Sequence, residues 1–383
     1  MIRGHVIELN PNNKQATYFA KACGIARLAY NWALAQWQRQ YAQDKAYRDA
    51  CHIMGIDVDE SKLLKPTQGK LRKQLNAIKR DKYPFMLEVT KCAPQLAIMQ
   101  LGDAYKRFFK GEAKYPQFRK KGVNDRFSLS NDQFAVKGRQ IRIPNLGWVR
   151  MREALRFDGK ILSAKIFSRG DRWFVSIAVE IDAVNLTKKT GKQTGVDLGI
   201  TDLIILSDST KVKAPKPLKT KLNKLKRLSR QLSRKQKGSN NRAKAKAKLS
   251  RLHLQISNIR KDALHKLTTG LVNEYDVIAI ENLNTKGMMQ NRKLSRAISD
   301  LGFYEFKRQL VYKANQYGKT VKELDRWFPS SKTCSNCGHL LTKDELPLSV
   351  RRWQCPCCQQ ANDRDVNASI NILQHADKVL THH

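Results

Sequence analysis

The alternation of apolar and polar residues changes period several times along the chain. His5 to Leu9 alternates and predicts a short strand, closed by Asn10-Pro11-Asn12-Asn13, which is turn and helix-start chemistry. From about Lys14 to Lys110 the period becomes helical, in three stretches: Gln15 to Ala42, Ser61 to Arg80 and Tyr83 to Phe109. Ala97, Leu101, Ala104 and Phe108 show the three- and four-residue spacing. Beyond a turn-rich link, Gly111 to Gly122, short alternating runs take over: Phe127 to Leu129, Gln140 to Ile143 and Trp173 to Val179. Asn145, Gly147, Asp158-Gly159 and Gly170-Asp171 separate them. This pattern predicts a small antiparallel β-barrel or sandwich to which the N-terminal strand returns, with the helical stretch inserted into it.

The second half reads differently. A polar linker, Leu186 to Thr194, leads into Gly195-Val196-Asp197-Leu198-Gly199-Ile200 and then Leu203 to Leu206, two apolar strands suited to a buried sheet. From Lys219 to Lys266, Leu222, Leu225, Leu228 and Leu232 lie on one helical side and Leu249, Leu252, Ile256 and Ile259 on another. Lys237 to Asn241 breaks the period and predicts the turn of a helical hairpin. Tyr275 to Ile280 is another buried strand, ending in Glu281. A helix from about Ser295 to Tyr317, a strand from Thr320 to Leu324, a cysteine cluster and a helix from Asp363 to Ala376 complete the chain. Strands alternating with helices indicate an α/β domain.

Charge narrows the partners. Lys and Arg number 73 against 33 Asp and Glu, a net +40 over 383 residues. Such a charge repels itself in the compact state unless a polyanion neutralises it, and nucleic acid is the expected polyanion. Ser209 to Lys261 contains no acid at all, so Lys224, Arg227, Arg230 and Arg234 on the first hairpin helix are candidate phosphate contacts. Two further candidates are mixed aromatic and basic: Arg119 and Lys120 in Tyr115 to Lys121, and Lys91 with Gln95, one helical turn apart and able to reach a base edge. No apolar run reaches the roughly 18 residues of a membrane span, and the first residues show no secretory signal, so residence inside the cell is expected.

Five of the eight cysteines lie between Cys334 and Cys358. Two CxxC pairs, Cys334 with Cys337 and Cys355 with Cys358, present four thiolates to one tetrahedral Zn²⁺ on two tight turns, with Cys357 as a competing thiol. A four-thiolate shell has no open position, so this metal would stabilise and not catalyse. The isolated Cys23, Cys51 and Cys92 read as buried free thiols. Asp197 and Glu281 sit in or at the end of apolar strands, where unpaired carboxylates are costly. A cluster of such anions makes sense around divalent cations, and two Mg²⁺ roughly 4 Å apart can hold both the attacking water and the leaving oxygen of a phosphodiester. A third acid is expected in Asn362 to Ile372.

The order G-V-D-L-G-I, I-A-I-E-N-L, F-P-S-S-K-T-C-S-N-C-G, C-P-C-C and D-R-D-V-N-A-S-I-N-I resembles the transposon-associated TnpB family of RuvC-like nucleases, related to the type V CRISPR effectors. The N-terminal half matches more loosely, through Tyr115 to Lys121 and Pro144 to Val149. The resemblance implies catalytic acids at Asp197, Glu281 and Asp365, with Asp363 outside the ligand set and Asn367 orienting an acid or the scissile phosphate. Gln359 stands where the family usually has Gly, and Asn362 where it often has His. The implied fold is an RNase H-like (RuvC) nuclease domain of 186–333 and 359–383 with a zinc ribbon, 334–358, inserted. A β-barrel of 1–13 and 111–185 precedes it and carries a helical recognition domain, 14–110. The implied activity is cleavage of double-stranded DNA beside a short transposon-adjacent motif, directed by a guide RNA from the transposon end, in a prokaryotic, nucleoid-associated protein whose oligomeric state the sequence leaves open, with a monomer favoured. The competing expectations are a DNA-strand transferase built on the same acids and a noncatalytic nucleic-acid-binding regulator.

Overall fold

In the computed structural model the described residues are 1–182 and 189–379. Two compact units divide the chain after residue 183. The beginning of the expected linker, residues 186–188, lies outside the described residues.

In the N-terminal unit, strand β1 (Ile2–Leu9) is followed by helix α1 (Asn13–Met54). Asn12 and Gln15 form a reciprocal capping box at the start of α1, and Gly55, at φ 66°, ends it in the left-handed region. With no proline between them, the helix runs twelve residues past the expected Ala42. Helix α2 (Gln68–Lys82) starts later than the Ser61 expected from periodicity, because Pro66 interrupts and the Thr67 side chain caps it, accepting from the Lys70 N–H. Pro84 then opens a short 3₁₀ turn before α3 (Cys92–Phe109).

The strands that follow are β2 (Arg126–Ser130), β3 (Ala135–Lys137), β4 (Gln140–Ile143), β5 (Gly147–Arg150), β6 (Lys160–Arg169) and β7 (Arg172–Glu180). The N-terminal strand does return: β1 pairs antiparallel with β7 from Ile2↔Glu180 to Leu9↔Trp173. The expected closed barrel is absent among the described residues. The strands form a four-stranded sheet, β1-β7-β6-β2, and a separate three-stranded one, β3-β4-β5, joined at the single bridge Leu9↔Met151. The free edge at β2 packs beside α3 and α1, so helices and not a closing strand cover it. Phe127, Leu129, Ile166, Val175 and Ile177 of the larger sheet and Ile141, Ile143 and Val149 of the smaller join Phe19, Ala26 and Leu101 of the helices in one core.

The C-terminal unit is built on a mixed five-stranded sheet in the order β10-β9-β8-β11-β12. Its strands are β8 (Gln193–Asp197), β9 (Ile204–Leu206), β10 (Lys211–Val212), β11 (Val277–Ile280) and β12 (Thr320–Glu323). The hairpin helices α4 (Pro217–Ser233) and α5 (Asn240–Glu274) precede β11. The short α6 (Thr285–Met288) and α7 (Ser295–Leu301) follow it, then α8 (Phe303–Tyr317). After β12 the two CxxC turns flank strand β13 (Arg352–Gln354), which pairs with β14 (Ala361–Asp363), and α9 (Arg364–Val379) ends the described chain.

Side-chain alternation sorts the sheet into two faces. Val196, Ile278 and Ile280 point to a core with Leu264, Leu271, Phe306 and Leu310 of α5 and α8. Ala279 points the other way, to Ile372 and Ala376 of α9. The leucines of α4 are half-buried against α5, not against the sheet, and Asp300 fixes the helix start by accepting from the Leu218 and Lys219 N–H groups at 2.9 Å each. No described helix is long and apolar enough to cross a membrane.

Helix α9 lies so close on β8 that a Cβ at Gly195 would stand 1.9 Å from the Ser369 carbonyl oxygen and 2.8 Å from the Leu373 nitrogen. Gly195→Ala must therefore push the helix off the strand. Overpacking of this kind costs roughly 1–3 kcal/mol, so thermal unfolding should show a lower Tm for the C-terminal unit, where Gly4→Ala, whose added Cβ meets nothing within 4 Å, should leave the protein's Tm nearly unchanged.

Candidate functional site

Parallel strands β8 and β11 pair Val196 with Ile280, so Asp197 and Glu281 come next on neighbouring strands at the same end of the sheet. By alternation both belong to the face that carries α9, whose first turn holds Asp365. All three acids are half-buried. Their proximity is read in Asp197: burial first, then the charges of Glu281 and Asp365, push its carboxyl up to about 8, against the weaker opposing pull of the Leu198 N–H and Arg351. Glu281 is also raised by burial, although the Ser330 hydroxyl donates to its Oε1 at 2.5 Å. Asp365 Oδ1 accepts from Arg351 Nη1 at 3.0 Å.

The raised Asp197 also bears on stability. Its folded carboxyl holds a proton that the unfolded chain releases near pH 4, so its contribution is complete in acid and is lost as pH rises toward about 8. The Arg351 guanidinium does not offset burial and the two neighbouring acids at Asp197, and three carboxylates supply only oxygen donors. That donor set fits hard divalent cations such as Mg²⁺.

Asp363 has other work. It accepts from the Asp365 and Val366 N–H groups at 3.1 and 3.2 Å, capping α9, and pairs with Lys211 Nζ at 2.7 Å. Burial raises its pKa, but these partners hold it below the usual carboxylate range. Asn367, expected to orient an acid or the scissile phosphate, is bonded to backbone in this structure. It is buried, its Oδ1 accepts from the Ser335 N–H and its Nδ2 donates to the Thr333 carbonyl. Its amide thus anchors the first cysteine turn to α9 and bonds no acid. Asn371 repeats the device, donating to the carbonyls of Ser330 and Thr333.

The sulfurs of Cys334, Cys337, Cys355 and Cys358 all lie within 4.8 Å of one another. The separations Cys334–Cys358 and Cys337–Cys355 are 3.7 and 3.6 Å. A tetrahedral site with Zn–S bonds of about 2.3 Å sets its sulfurs about 3.8 Å apart, so the cluster is compatible with a structural zinc. Within this set of mutually bonded thiols, Asn336 and the Gln360 N–H lower Cys358, while Cys337, despite the His339 N–H, is raised by burial and by the other three thiols. Cys357 is exposed and outside the cluster. Each turn needs a left-handed residue after its second cysteine: Gly338 at φ 75° in one, Gln359 at φ 60° in the other. Gln359 carries the strain that a glycine would avoid. Asn362, in place of a histidine, donates to the Cys334 sulfur at 3.9 Å.

The nucleic-acid candidates separate. Lys224, Arg227, Arg230 and Arg234 are all exposed on α4, opposite its leucines. Lys120 is exposed too, but Arg119 is tied inward: its guanidinium lies 3.7 Å over the Tyr30 ring and donates to Gln100. Lys91 and Gln95 line a cleft of about 150 Å³ with Arg72, Asn76 and Lys79. Missed in the sequence was the outer face of the β3-β4-β5 sheet, where Lys137, Arg139, Gln140, Trp148 and Arg150 line a cleft of about 690 Å³. The signal was present in the two-residue alternation of Gln140 to Ile143 and Gly147 to Arg150, whose outward positions are an amide, two arginines and a tryptophan.

Fold and site define a class: a strongly basic α/β protein with three acids at one end of a mixed sheet and a four-thiol insertion just before the last of them. Family models match residues 176–292, described as "Probable transposase"; 303–372, as "Cas12f1-like, TNB domain"; and 1–46, as "Helix-turn-helix domain". The last match falls on β1 and one uninterrupted stretch of α1. A protein of Streptomyces pristinaespiralis named "Putative RNA-guided DNA endonuclease" is 35% identical over 95% of this chain and 86% of its own. The Escherichia coli K12 protein of the same name, InsQ, is 30% identical over 97% and 92%. A Cas12f1 structure, solved in complex with single-guide RNA and target DNA, matches with a TM-score of 0.53 at 13% identity, covering 94% of this chain and 83% of that one, a likeness of fold alone. The chain belongs to the TnpB-like family of RNA-guided DNA endonucleases.

The geometry settles which thiol of Cys355-Pro356-Cys357-Cys358 joins the cluster, and metal analysis checks it. Cys357→Ser should keep the wild type's zinc, about one ion per chain. Cys358→Ser should lose most of it and unfold at a lower temperature.

Proposed function

We propose that this protein is a guide-RNA-directed endonuclease that cuts double-stranded DNA beside a short transposon-adjacent motif by metal-dependent hydrolysis, on an RNase H-like (RuvC) domain interrupted by a zinc ribbon. The observation that carries the reading is the Val196↔Ile280 register with α9 packed on Gly195, which sets Asp197, Glu281 and Asp365 at one end of the sheet, where the charges of Glu281 and Asp365 act on Asp197. The names of the relatives and the +40 charge support the nucleic-acid partners.

Asp197, Glu281 and Asp365 would hold two Mg²⁺, which when bound supply an activated water and neutralise charge on the phosphate. The remaining work belongs to the chain. Ser330 fixes the Glu281 carboxylate, and α9 fixes Ser330 through Asn371. Asp363 takes the capping role, so the Asp365 carboxylate is not engaged by the helix end. Arg351 reaches Asp365 from an exposed position and can move to a phosphate oxygen when that acid is otherwise engaged. The zinc ribbon holds the loop that carries Ser330. We assign the exposed cations of α4, the Lys91–Gln95 cleft, Lys120 and the Trp148 face to guide RNA and DNA, in a bacterial cell interior. A strand transferase would use the same acids, and joined DNA ends in a purified reaction would identify it.

Asp197→Ala, Glu281→Ala and Asp365→Ala should each abolish cutting of guide-matched DNA, a loss of several kcal/mol of transition-state stabilisation, and keep RNA affinity. Normal cutting by Asp365→Ala together with loss in Asp363→Ala would reverse the assignment.

Changing Lys224, Arg227, Arg230 and Arg234 together to Gln keeps helix propensity and removes four charges. Binding to guide RNA or target DNA should weaken, and the slope of log affinity against log salt should fall by roughly one unit per lost phosphate contact. A titration with the same slope for both nucleic acids would reduce this face to a solvated one.

A further inference from the structure

Helix α8 carries two stripes. Phe303, Phe306, Leu310 and Ala314 are buried in the core. Tyr304, Lys307, Arg308, Val311, Tyr312 and Asn315 recur at steps of three, one, three, one and three residues, so they share another face. That face forms one wall of a cleft of about 420 Å³, inside the roughly 300–1,000 Å³ range of ligand sites. The opposite wall is the end of the sheet, with Leu198 directly after β8 and Glu281 directly after β11.

The chemistry of the cleft is unusual for so cationic a chain. Tyr304 is 70% exposed, which leaves its ring face open to a partner. Lys307 is ion-paired with Glu323, and Arg308 with Glu305 through two bonds of 2.8 Å. The Arg308 guanidinium lies 5.4 Å over the Tyr312 ring. With its cations already paired and Glu281 on its wall, the cleft does not suit a free anion. It suits a flat, weakly polar group joined to an anion that rests on the acids next door, and an unpaired nucleobase has that form.

We propose that this cleft receives one unstacked base of the strand being cut, held on Tyr304 and Tyr312, and so sets the register of the phosphate at Asp197, Glu281 and Asp365. The proposal rests on the nuclease reading above. Stacking on tyrosine tolerates any base, in keeping with an enzyme whose sequence choice is made by the guide.

The test moves a single abasic site, base by base, past the cut in a DNA substrate for the guide-loaded wild-type protein. One position beside the cut should lose about tenfold in cleavage rate, the worth of a stacked base. The double variant Tyr304→Ala, Tyr312→Ala should cut intact DNA about tenfold more slowly and be indifferent to that abasic site, while Tyr304→Phe cuts normally. Equal wild-type rates at every abasic position would overturn the proposal, and this arm needs no variant to fold. Wild-type cutting by the double variant would overturn it too. A second readout separates it from the nuclease reading: single-stranded DNA carrying 2-aminopurine, bound in calcium, should be quenched by the wild type and not by the double variant. If the wild type quenches the probe but never cuts, the nuclease reading fails and the base site stands. If an apolar dye binds while the probe stays unquenched, the cleft belongs to an apolar or protein partner and the proposal falls.

Discussion

The close approach of α9 to β8 at Gly195 is the constraint on which the C-terminal unit turns. Helix backbone stands where a Cβ would be, so the helix and strand meet at main-chain distance. This contact brings the first turn of α9, with Asp365, to the end of the sheet that holds Asp197, and it seats Asn367 and Asn371 so that their amides catch the carbonyls of Ser330 and Thr333. The caught loop has Ser330 on Glu281 at one end and Cys334 of the thiol cluster at the other. A single packing event therefore links the three acids and the four cysteines.

Electrostatics gives the site its direction. The chain carries +40 overall, yet at the end of its central sheet it gathers carboxylates until Asp197 keeps a proton near neutral pH. Such a pocket is unstable toward rising pH and gains from cations, and the surrounding basic surface draws polyanions toward it. The two properties are complementary: a phosphate backbone attracted by the whole protein cannot rest on the acids unless positive charge lies between them.

Structural elements divide the labour plainly. Asp363 and Asp365 stand two residues apart, yet the first caps the helix while the second takes Arg351. Arg119 and Lys120 are adjacent, yet one guanidinium is locked over Tyr30 while its neighbour is exposed. In the three-stranded sheet, Trp148 and Arg150 face outward because Val149 must face inward.

Much was legible without coordinates. Apolar runs ending in acids, the acid-free hairpin, the paired CxxC spacing and the returning N-terminal strand all follow from local period and residue chemistry, because burial and metal ligation each leave a fixed spacing in the chain. Composition foretold a polyanion. What sequence could not decide was anything set by distant partners. The barrel does not close because α1 and α3 lie beside the β2 edge that a strand would need. The leucines of α4 meet α5, and the amide of Asn367 meets the backbone of the first cysteine turn. The second stripe of α8 has a periodic signature, but only the sheet end opposite it makes that stripe a cleft. Periodicity tells which side of an element is apolar; which partner fills that side is decided by tertiary packing, as where α9 meets β8 at Gly195.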